Sequence, residues 1–172
     1  ERRCPECGFE AGVIDVTAVG DLVRDNAAAW QALLARPAGE LARRPSEDRW
    51  SALEYACHVR DVLVLYDERL HLMLTEDDPD FANWDQDVAA IEGRYAEQDP
   101  ARVAADIAAG AAVIAERFDG VPEGAWGRTG NRSDGAQFTI ESFARYFIHD
   151  PVHHVDDVEK GFAMLQAGGH DG

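Results

Sequence analysis

Three histidines in the segment FIHDPVHHVDDV (147–158) stand at a spacing that could bind a metal ion. Side chains four residues apart project from the same side of a helix, so His149 and His153 would point the same way. His154 is rotated by about 100° and would not share their site. An H-x-x-x-H pair is a common means by which one helix supplies two metal ligands. The segment therefore predicts part of a metal site whose remaining ligand lies elsewhere in the chain.

His58, in the segment EYACHVRDV, is the predicted third ligand. Val62 and Leu65 follow it at positions i+4 and i+7, which places His58 on the inward face of its helix. Three histidines without a fourth protein ligand leave coordination positions open, as in catalytic metal sites. Imidazole suits several transition metals, and we expect zinc or nickel. Histidines that only pack or lie on the surface are the alternative interpretation of the same spacing.

The cysteines of the opening segment CPECGFE form a C-x-x-C pair, which is half of a zinc-ribbon pattern. A structural zinc site needs four ligands, and Cys57, the third cysteine of the chain, is predicted to lie in the core. Cys4 and Cys7 should lie close together because a C-x-x-C turn brings two sulfur atoms near each other. A second metal site completed by other residue types, a redox pair and a flexible tail all remain open.

Two further segments contain candidates for a substrate pocket. In FANWDQD, Trp84 and Asp85 combine an aromatic wall with polar groups, which suits a small-molecule site, whereas Phe81 is predicted to pack as a plug. Arg145, one turn before the H-x-x-x-H pair, could reach an anionic group of a substrate, and a surface ion pair is the alternative. No Ser–His–Asp or paired-carboxylate arrangement is evident, so the sequence identifies no catalytic residue apart from the metal ligands.

Four long amphipathic helices must position these residues, and they predict an all-α, up-down four-helix bundle with a short N-terminal C-x-x-C knuckle. The helices are predicted from about Thr17 to Arg36, from Ser51 to Leu74, from Asp99 to Gly120, and from Thr139 to Lys160. The second opens on a capping box of Ser51 and Glu54. Pro151 should kink or break the fourth. The segment GRTGNRSDGAQFT predicts a long loop or a short hairpin.

The domain boundaries follow from these helices, and the composition restricts the partners. Residues 1–14 form the C-x-x-C segment, residues 15–165 the bundle and residues 166–172 a flexible tail. A net charge of −17 argues against binding nucleic acid or an anionic membrane surface. No apolar run reaches the roughly 18 residues of a spanning helix and no signal peptide is evident, so we expect a cytoplasmic protein.

The segments WSALEYACHVRD, FANWDQD and FARYFIHDPVHHVDDV resemble the DinB/YfiT-like superfamily, and the resemblance covers roughly residues 15–160. It implies a four-helix bundle, often a homodimer, with a divalent metal held by three histidines that match His58, His149 and His153. Characterised members of the family include thiol S-transferases that use bacillithiol or mycothiol, and a mycothiol-dependent maleylpyruvate isomerase. The family's core lacks the C-x-x-C segment.

Two classes of function follow. The first is a metal-dependent enzyme in which the open site activates a low-molecular-weight thiol towards an electrophile, for transfer or isomerisation. Mycothiol is the leading candidate because the resemblance includes that chemistry, and because the arginine- and alanine-rich composition is typical of high-GC bacteria, among which actinobacteria use mycothiol. The alternative is a non-catalytic protein that senses metal or redox state through the same residues.

Overall fold

The computed structural model describes residues 3–168, which form six α-helices and one small sheet. The helices are α1 Val19–Leu34, α2 Ala38–Leu41, α3 Ala52–Thr75, α4 Gln86–Glu92, α5 Pro100–Asp119 and α6 Ile140–Gly168. The strands are β1 Asp80–Phe81, β2 Thr129–Arg132 and β3 Gln137–Thr139. Within residues 3–168, no helix is long and apolar enough to cross a membrane.

The four long helices α1, α3, α5 and α6 form the predicted bundle. Helices α1 and α3 each pack mainly against α5 and α6, so the first two long helices of the chain lie diagonally across the bundle. Large side chains that are fully buried fill its centre, among them Trp30, Ile107, Phe118 and Phe147. Cys57 lies in this core as predicted, and burial raises the pKa of its thiol to about 12.

Helix α3, which carries His58, begins at the predicted capping box. The hydroxyl of Ser51 accepts a hydrogen bond from the backbone N–H of Glu54 at 3.2 Å, and the Glu54 carboxylate accepts one from the backbone N–H of Ser51 at 2.8 Å. Arg44 donates two further hydrogen bonds to that carboxylate. These contacts satisfy the free N–H groups of the first turn and fix where the helix starts.

Substitution Ser51→Ala should lower the free energy of unfolding by about 1 kcal/mol, because the backbone N–H of Glu54 loses its acceptor in a buried position. Urea denaturation followed by circular dichroism measures the change. Ser46→Ala is the matched control, since the Ser46 hydroxyl bonds only to Asp48 at the surface and its loss should cost below about 0.5 kcal/mol. Equal losses in the two variants would contradict the capping role.

The sheet joins the segment after α3 to the segment before α6. Strand β2 is parallel to β1 and antiparallel to β3, so the loop predicted before α6 is a hairpin. At Gly130 a Cβ atom would lie 2.9 Å from both Met73 and Phe81, and only glycine allows β2 to approach α3 this closely. Phe81 is buried, as predicted, and the guanidinium of Arg69 lies 4.9 Å from its ring centre.

Helix α6 continues through Pro151 without the break that the sequence allowed for. The carbonyl of Pro151 accepts a hydrogen bond from the side chain of Asn26 on α1 at 3.0 Å. The helix also extends beyond its predicted end at Lys160, so residues 166–168 of the predicted flexible tail are helical, and the rest of that tail lies outside the described residues. One uninterrupted helix therefore presents all the histidines and aspartates of the 147–158 segment.

Candidate metal centre

Within residues 3–168, the side chains that lie close enough together to share a metal ion form two groups, and both include residues of helix α6. The pocket cluster consists of His58, Asp150 and His154, and the knuckle cluster consists of Cys4, Cys7, His149 and His153. Within each cluster the candidate ligand atoms all lie within 4.8 Å of one another. The structure therefore does not bring the predicted set of His58, His149 and His153 together, and divides it between the two clusters.

The pocket cluster joins α3 to α6 through the carboxylate of Asp150. Its Oδ2 atom lies 3.3 Å from Nε2 of His58, and its Oδ1 atom lies 3.4 Å from Nε2 of His154. The two imidazole rings are 4.8 Å apart and nearly perpendicular. His58 is 1% exposed, yet neither of its ring nitrogens makes a directed hydrogen bond to any described residue.

Buried polar atoms without a partner are rare in folded proteins, and each calls for an explanation. A bound divalent ion would give one ring nitrogen of His58 a partner, because two imidazoles and one carboxylate are a donor set of catalytic zinc sites. The residues of the pocket cluster therefore fit a metal ion of the kind that the family resemblance implies.

Charged neighbours hold His154 in place. Its Nδ1 atom lies 2.9 Å from Oδ2 of Asp157, which turns the other ring nitrogen towards Asp150. Burial lowers the pKa of His154, but hydrogen bonds with Asp150 and Asp157 outweigh it and raise the pKa to about 9. Burial raises the pKa of Asp150, but the neighbouring imidazoles of His154 and His58 favour its charged form more strongly and lower the pKa overall. A carboxylate behind a ligating histidine is the usual way to orient such a ring.

A cavity of about 330 Å³ opens beside the pocket cluster. Trp84 forms part of its wall and stacks on His58, with the ring centres 5.4 Å apart. Tyr66 and Tyr146 add aromatic side chains to the lining, and Arg69 and Arg132 add guanidinium groups. The volume and the mixture of aromatic and charged groups are those of a site for a small molecule.

The knuckle cluster lies on the neighbouring stripe of α6. Sγ of Cys4 is 3.7 Å from Nδ1 of His153, and Sγ of Cys7 is 3.6 Å from Nε2 of His149. Hydrogen bonds from the backbone N–H groups of Cys7 and Glu6 lower the pKa of Cys4 to about 6, whereas burial raises the pKa of Cys7. Cys4 and Cys7 are close together, as predicted, and the N-terminal segment is docked on the bundle.

Comparison with known proteins identifies the family of this chain. A family model described as the DinB superfamily matches residues 21–158, which is most of the chain. The chain belongs to the DinB superfamily. No protein of curated function matches it.

Two solved structures share the fold of this DinB superfamily member. YfiT from Bacillus subtilis, described as a probable metal-dependent hydrolase with an unusual four-helix bundle topology, has a TM-score of 0.81 at 14% identity, covering 94% of this chain and 93% of that one. A mycothiol-dependent maleylpyruvate isomerase has a TM-score of 0.67 at 13% identity, covering 87% of this chain and 63% of the isomerase. At such identities the likeness shows the fold alone.

The other residues predicted for the pocket of this DinB superfamily member have separate roles. Trp84 lines the cavity, but Asp85 caps α4, where its carboxylate accepts hydrogen bonds from the backbone N–H groups of Asp87 and Val88. Arg145 is not among the residues that line the cavity, and it donates hydrogen bonds to the carbonyls of Ala11 and Ile14, at 2.8 and 2.9 Å. It therefore anchors the N-terminal segment. It also forms an ion pair with Glu141 at 3.0 Å, which is the alternative that the sequence left open.

Arg69 is the feature of the cavity that sequence reasoning missed. It is 4% exposed and donates one hydrogen bond to the carbonyl of Ala82, and its Nε atom has no partner among the described residues. The structure shows no ion pair between Arg69 and a carboxylate of residues 3–168, and its guanidinium instead lies 5.3 Å and 4.9 Å from the ring centres of Tyr66 and Phe81. Burial lowers its pKa. The sequence did contain a signal for this position. Arg69 lies eleven residues after His58, which places it on the helical face that His58 shares with Val62 and Leu65.

Proposed function

We propose that this member of the DinB superfamily is a metal-dependent enzyme whose pocket cluster holds a divalent ion, with zinc or nickel expected. The observation that carries the proposal is the buried imidazole of His58, beside a cavity large enough for a small substrate. Its ring nitrogens form no hydrogen bond within the described residues, and its Nε2 atom lies 3.3 Å from the carboxylate of Asp150. The imidazole of His154 and the carboxylate of Asp150, both on α6, have ligand atoms within 4.8 Å of each other and of a ring nitrogen of His58. Structural zinc sites have four protein ligands, so three ligands favour catalysis.

A divalent ion bound by these three residues would supply Lewis acidity, lowering the pKa of a coordinated thiol or water and stabilising developing negative charge. The chain's own residues prepare the site. Asp157 fixes the ring of His154, and Trp84 covers one face of His58 and limits the access of water. Because Asp150 is a carboxylate, this ligand set carries one negative charge. The set predicted from the sequence, three neutral histidines, would carry none.

The substrate of this site is proposed to carry an anionic group such as a carboxylate. Arg69 is a buried cation without a carboxylate partner among the described residues, and it lines the same cavity as the pocket cluster. An unpaired charge away from water is unfavourable, and an anionic ligand would compensate it. Arg132 adds a second guanidinium, which is already paired with Asp134. The attraction is local, because the whole chain carries a net charge of −17.

We propose a low-molecular-weight thiol as the nucleophile, with mycothiol as the leading candidate and transfer or isomerisation as the reaction. The fold likeness to a mycothiol-dependent isomerase and the arginine-rich composition support this choice. Hydrolysis is the second candidate, favoured by the carboxylate in the ligand set, since two histidines and a carboxylate also bind zinc in peptidases. Assembly as a homodimer stays a proposal that rests on the family resemblance.

The test starts from metal analysis of the purified protein. Metal-loaded protein is then incubated with small carboxylate-bearing electrophiles, with and without mycothiol, and the products are identified by mass spectrometry. His154→Ala removes a ligand, and Glu159→Gln is the matched control, because Glu159 is exposed on the same helix. Conjugates that need both thiol and metal support transfer, and products without thiol support hydrolysis. Equal conversion by wild type, His154→Ala and buffer would eliminate catalysis and favour the sensing alternative.

Arg69→Met should raise KM for carboxylate-bearing substrates about tenfold, because a charged hydrogen bond to the anion is lost while the side-chain volume is nearly kept. The turnover number should change less, since Arg69 lines the cavity but is not among the candidate metal ligands. Steady-state kinetics on paired substrates, an acid and its neutral amide, measures the effect. Circular dichroism checks the fold, because Arg69 also bonds to Ala82. An equal rise in KM for both substrates would contradict anion recognition.

A further inference from the structure

We propose that the knuckle cluster is a second, structural zinc site that clamps the N-terminal segment onto helix α6. The C-x-x-C pair provides two ligands, and the H-x-x-x-H pair of α6 provides the other two. The site is separate from the pocket cluster, shares no ligand with it, and stands whether or not the pocket cluster is catalytic.

The distances in the knuckle cluster match tetrahedral zinc. Bonds of about 2.3 Å to sulfur and about 2.0–2.1 Å to nitrogen place a sulfur and a nitrogen on the same ion roughly 3.6 Å apart. The two sulfur–nitrogen distances are 3.6 Å for Cys7 and His149, and 3.7 Å for Cys4 and His153. Both distances are those expected of ligands on one ion, and all four ligand atoms lie within 4.8 Å of one another.

The backbone of the N-terminal segment forms the turn that such a site needs. The N–H of Gly8 donates to the carbonyl of Cys4 at 3.0 Å, and the N–H of Cys4 donates to the carbonyl of Phe9 at 2.8 Å. Gly8 has a φ of +75°, a conformation that residues with a side chain rarely adopt. Hydrogen bonds from the backbone N–H groups of Cys7 and Glu6 lower the pKa of the Cys4 thiol. Hydrogen bonds of this kind stabilise a thiolate, which is the form that binds zinc.

The two histidines are held in position from outside the cluster. The ring of His149 stacks on Phe9 with the ring centres 5.8 Å apart. The Nε2 atom of His153, which faces away from Cys4, lies 3.2 Å from a carboxylate oxygen of Glu6 and 3.5 Å from one of Asp157. A carboxylate on the second nitrogen of a ligating histidine orients the ring and strengthens the metal bond.

Zinc is the ion that this donor set selects. Two thiolates and two imidazoles in a tetrahedron are a common structural zinc shell, whereas carboxylate-rich sites suit harder cations. The two thiolate charges cancel the charge of the ion, so the site adds no net charge to the boundary between the segment and the helix. Four protein ligands leave no position for a substrate, which makes the role structural.

The clamp has a consequence for the cavity, because His149 and His153 also line it. The contacts that otherwise join the N-terminal segment to α6 include the stacking of Phe9 on His149 and the hydrogen bonds of Arg145 to Ala11 and Ile14 and of Lys160 to the carbonyl of Glu6. A zinc ion would fix this wall of the cavity with four strong bonds.

The experiment loads the full chain with Co²⁺ and then with Zn²⁺. Wild type should bind two ions per chain, and Co²⁺ should give the thiolate charge-transfer band in the near ultraviolet. The Cys4→Ser/Cys7→Ser double variant should bind one ion, lose the band, and bind Co²⁺ at this site more than about 100-fold more weakly. His58→Leu should keep the band and lose the other ion. Cys57→Ala is the matched cysteine control and should keep both ions and the band.

X-ray absorption at the zinc edge of the wild type gives a readout that needs no variant. Sulfur neighbours at about 2.3 Å are expected. Zinc with nitrogen and oxygen neighbours only, a double cysteine variant that keeps the band, or a Cys4–Cys7 disulfide that persists in metal-loaded, reduced protein would each overturn the proposal. If the double variant does not fold, the absorption spectrum of the wild type still decides between these outcomes.

Discussion

Substitution His58→Leu should remove the pocket metal and reduce metal-dependent turnover at least about 1,000-fold, while the knuckle ion stays bound. His58 is the ligand that α3 contributes to the pocket cluster, and Asp150 and His154 both come from α6. Without it, two ligands from one helix remain, and a divalent ion loses both an imidazole bond and its link across the bundle. Metal analysis and steady-state kinetics measure the two losses.

The same variant should lose the stabilisation that the metal gives to the wild type. In the metal-free protein, leucine removes two buried ring nitrogens that form no hydrogen bond, but it also removes the 3.3 Å contact of His58 with Asp150, so the free energy of unfolding should change by less than about 1 kcal/mol. At 100 times its dissociation constant the metal stabilises wild type by about 2.7 kcal/mol and the variant not at all. His71→Leu is the control, since His71 is exposed on the same helix. Identical metal-induced shifts in Tm for wild type and His58→Leu would contradict ligation by His58.

The sequence predicts the helices and the position of His58 well, because both depend on local patterns. Apolar side chains at helical spacing identify the four long helices, and the capping box places the start of α3. The i+4 and i+7 neighbours of His58 correctly indicate its inward face, which the structure shows as 1% exposure. These inferences need no knowledge of what the helices pack against.

The partner of His58 on α6 was not predictable by the same means. His149–His153 and Asp150–His154 are both pairs four residues apart, on adjacent stripes of one helix, and spacing alone cannot decide which stripe faces α3. Residue type favoured the histidine pair. The rotation of α6 within the bundle places Asp150 and His154 beside His58. His149 and His153 instead lie beside Cys4 and Cys7, which are about 140 residues away in the chain. Contacts at such separation arise only from the fold.

Asp157→Asn should weaken metal binding at the pocket cluster about 10- to 100-fold, although Asp157 is not among the candidate ligands. Its carboxylate lies 2.9 Å from Nδ1 of His154 and so leaves Nε2 of that ring to face Asp150 and the cavity. An amide has no charge and can present an N–H in place of an acceptor, so it fixes the tautomer and orientation of the imidazole less well. Loss of such a carboxylate partner typically costs this much in metal affinity.

Titration with Co²⁺ separates the effects of Asp157→Asn at the two clusters. The pocket ion should show the full loss, because no other carboxylate contacts Nδ1 of His154 within the described residues. The knuckle ion should change less, since Nε2 of His153 keeps Glu6 at 3.2 Å when its contact with Asp157 at 3.5 Å is altered. Glu159→Gln, an exposed carboxylate two residues along α6, should change neither. A larger loss at the knuckle than at the pocket would mean that Asp157 acts mainly through His153, and would contradict its assignment to the pocket cluster.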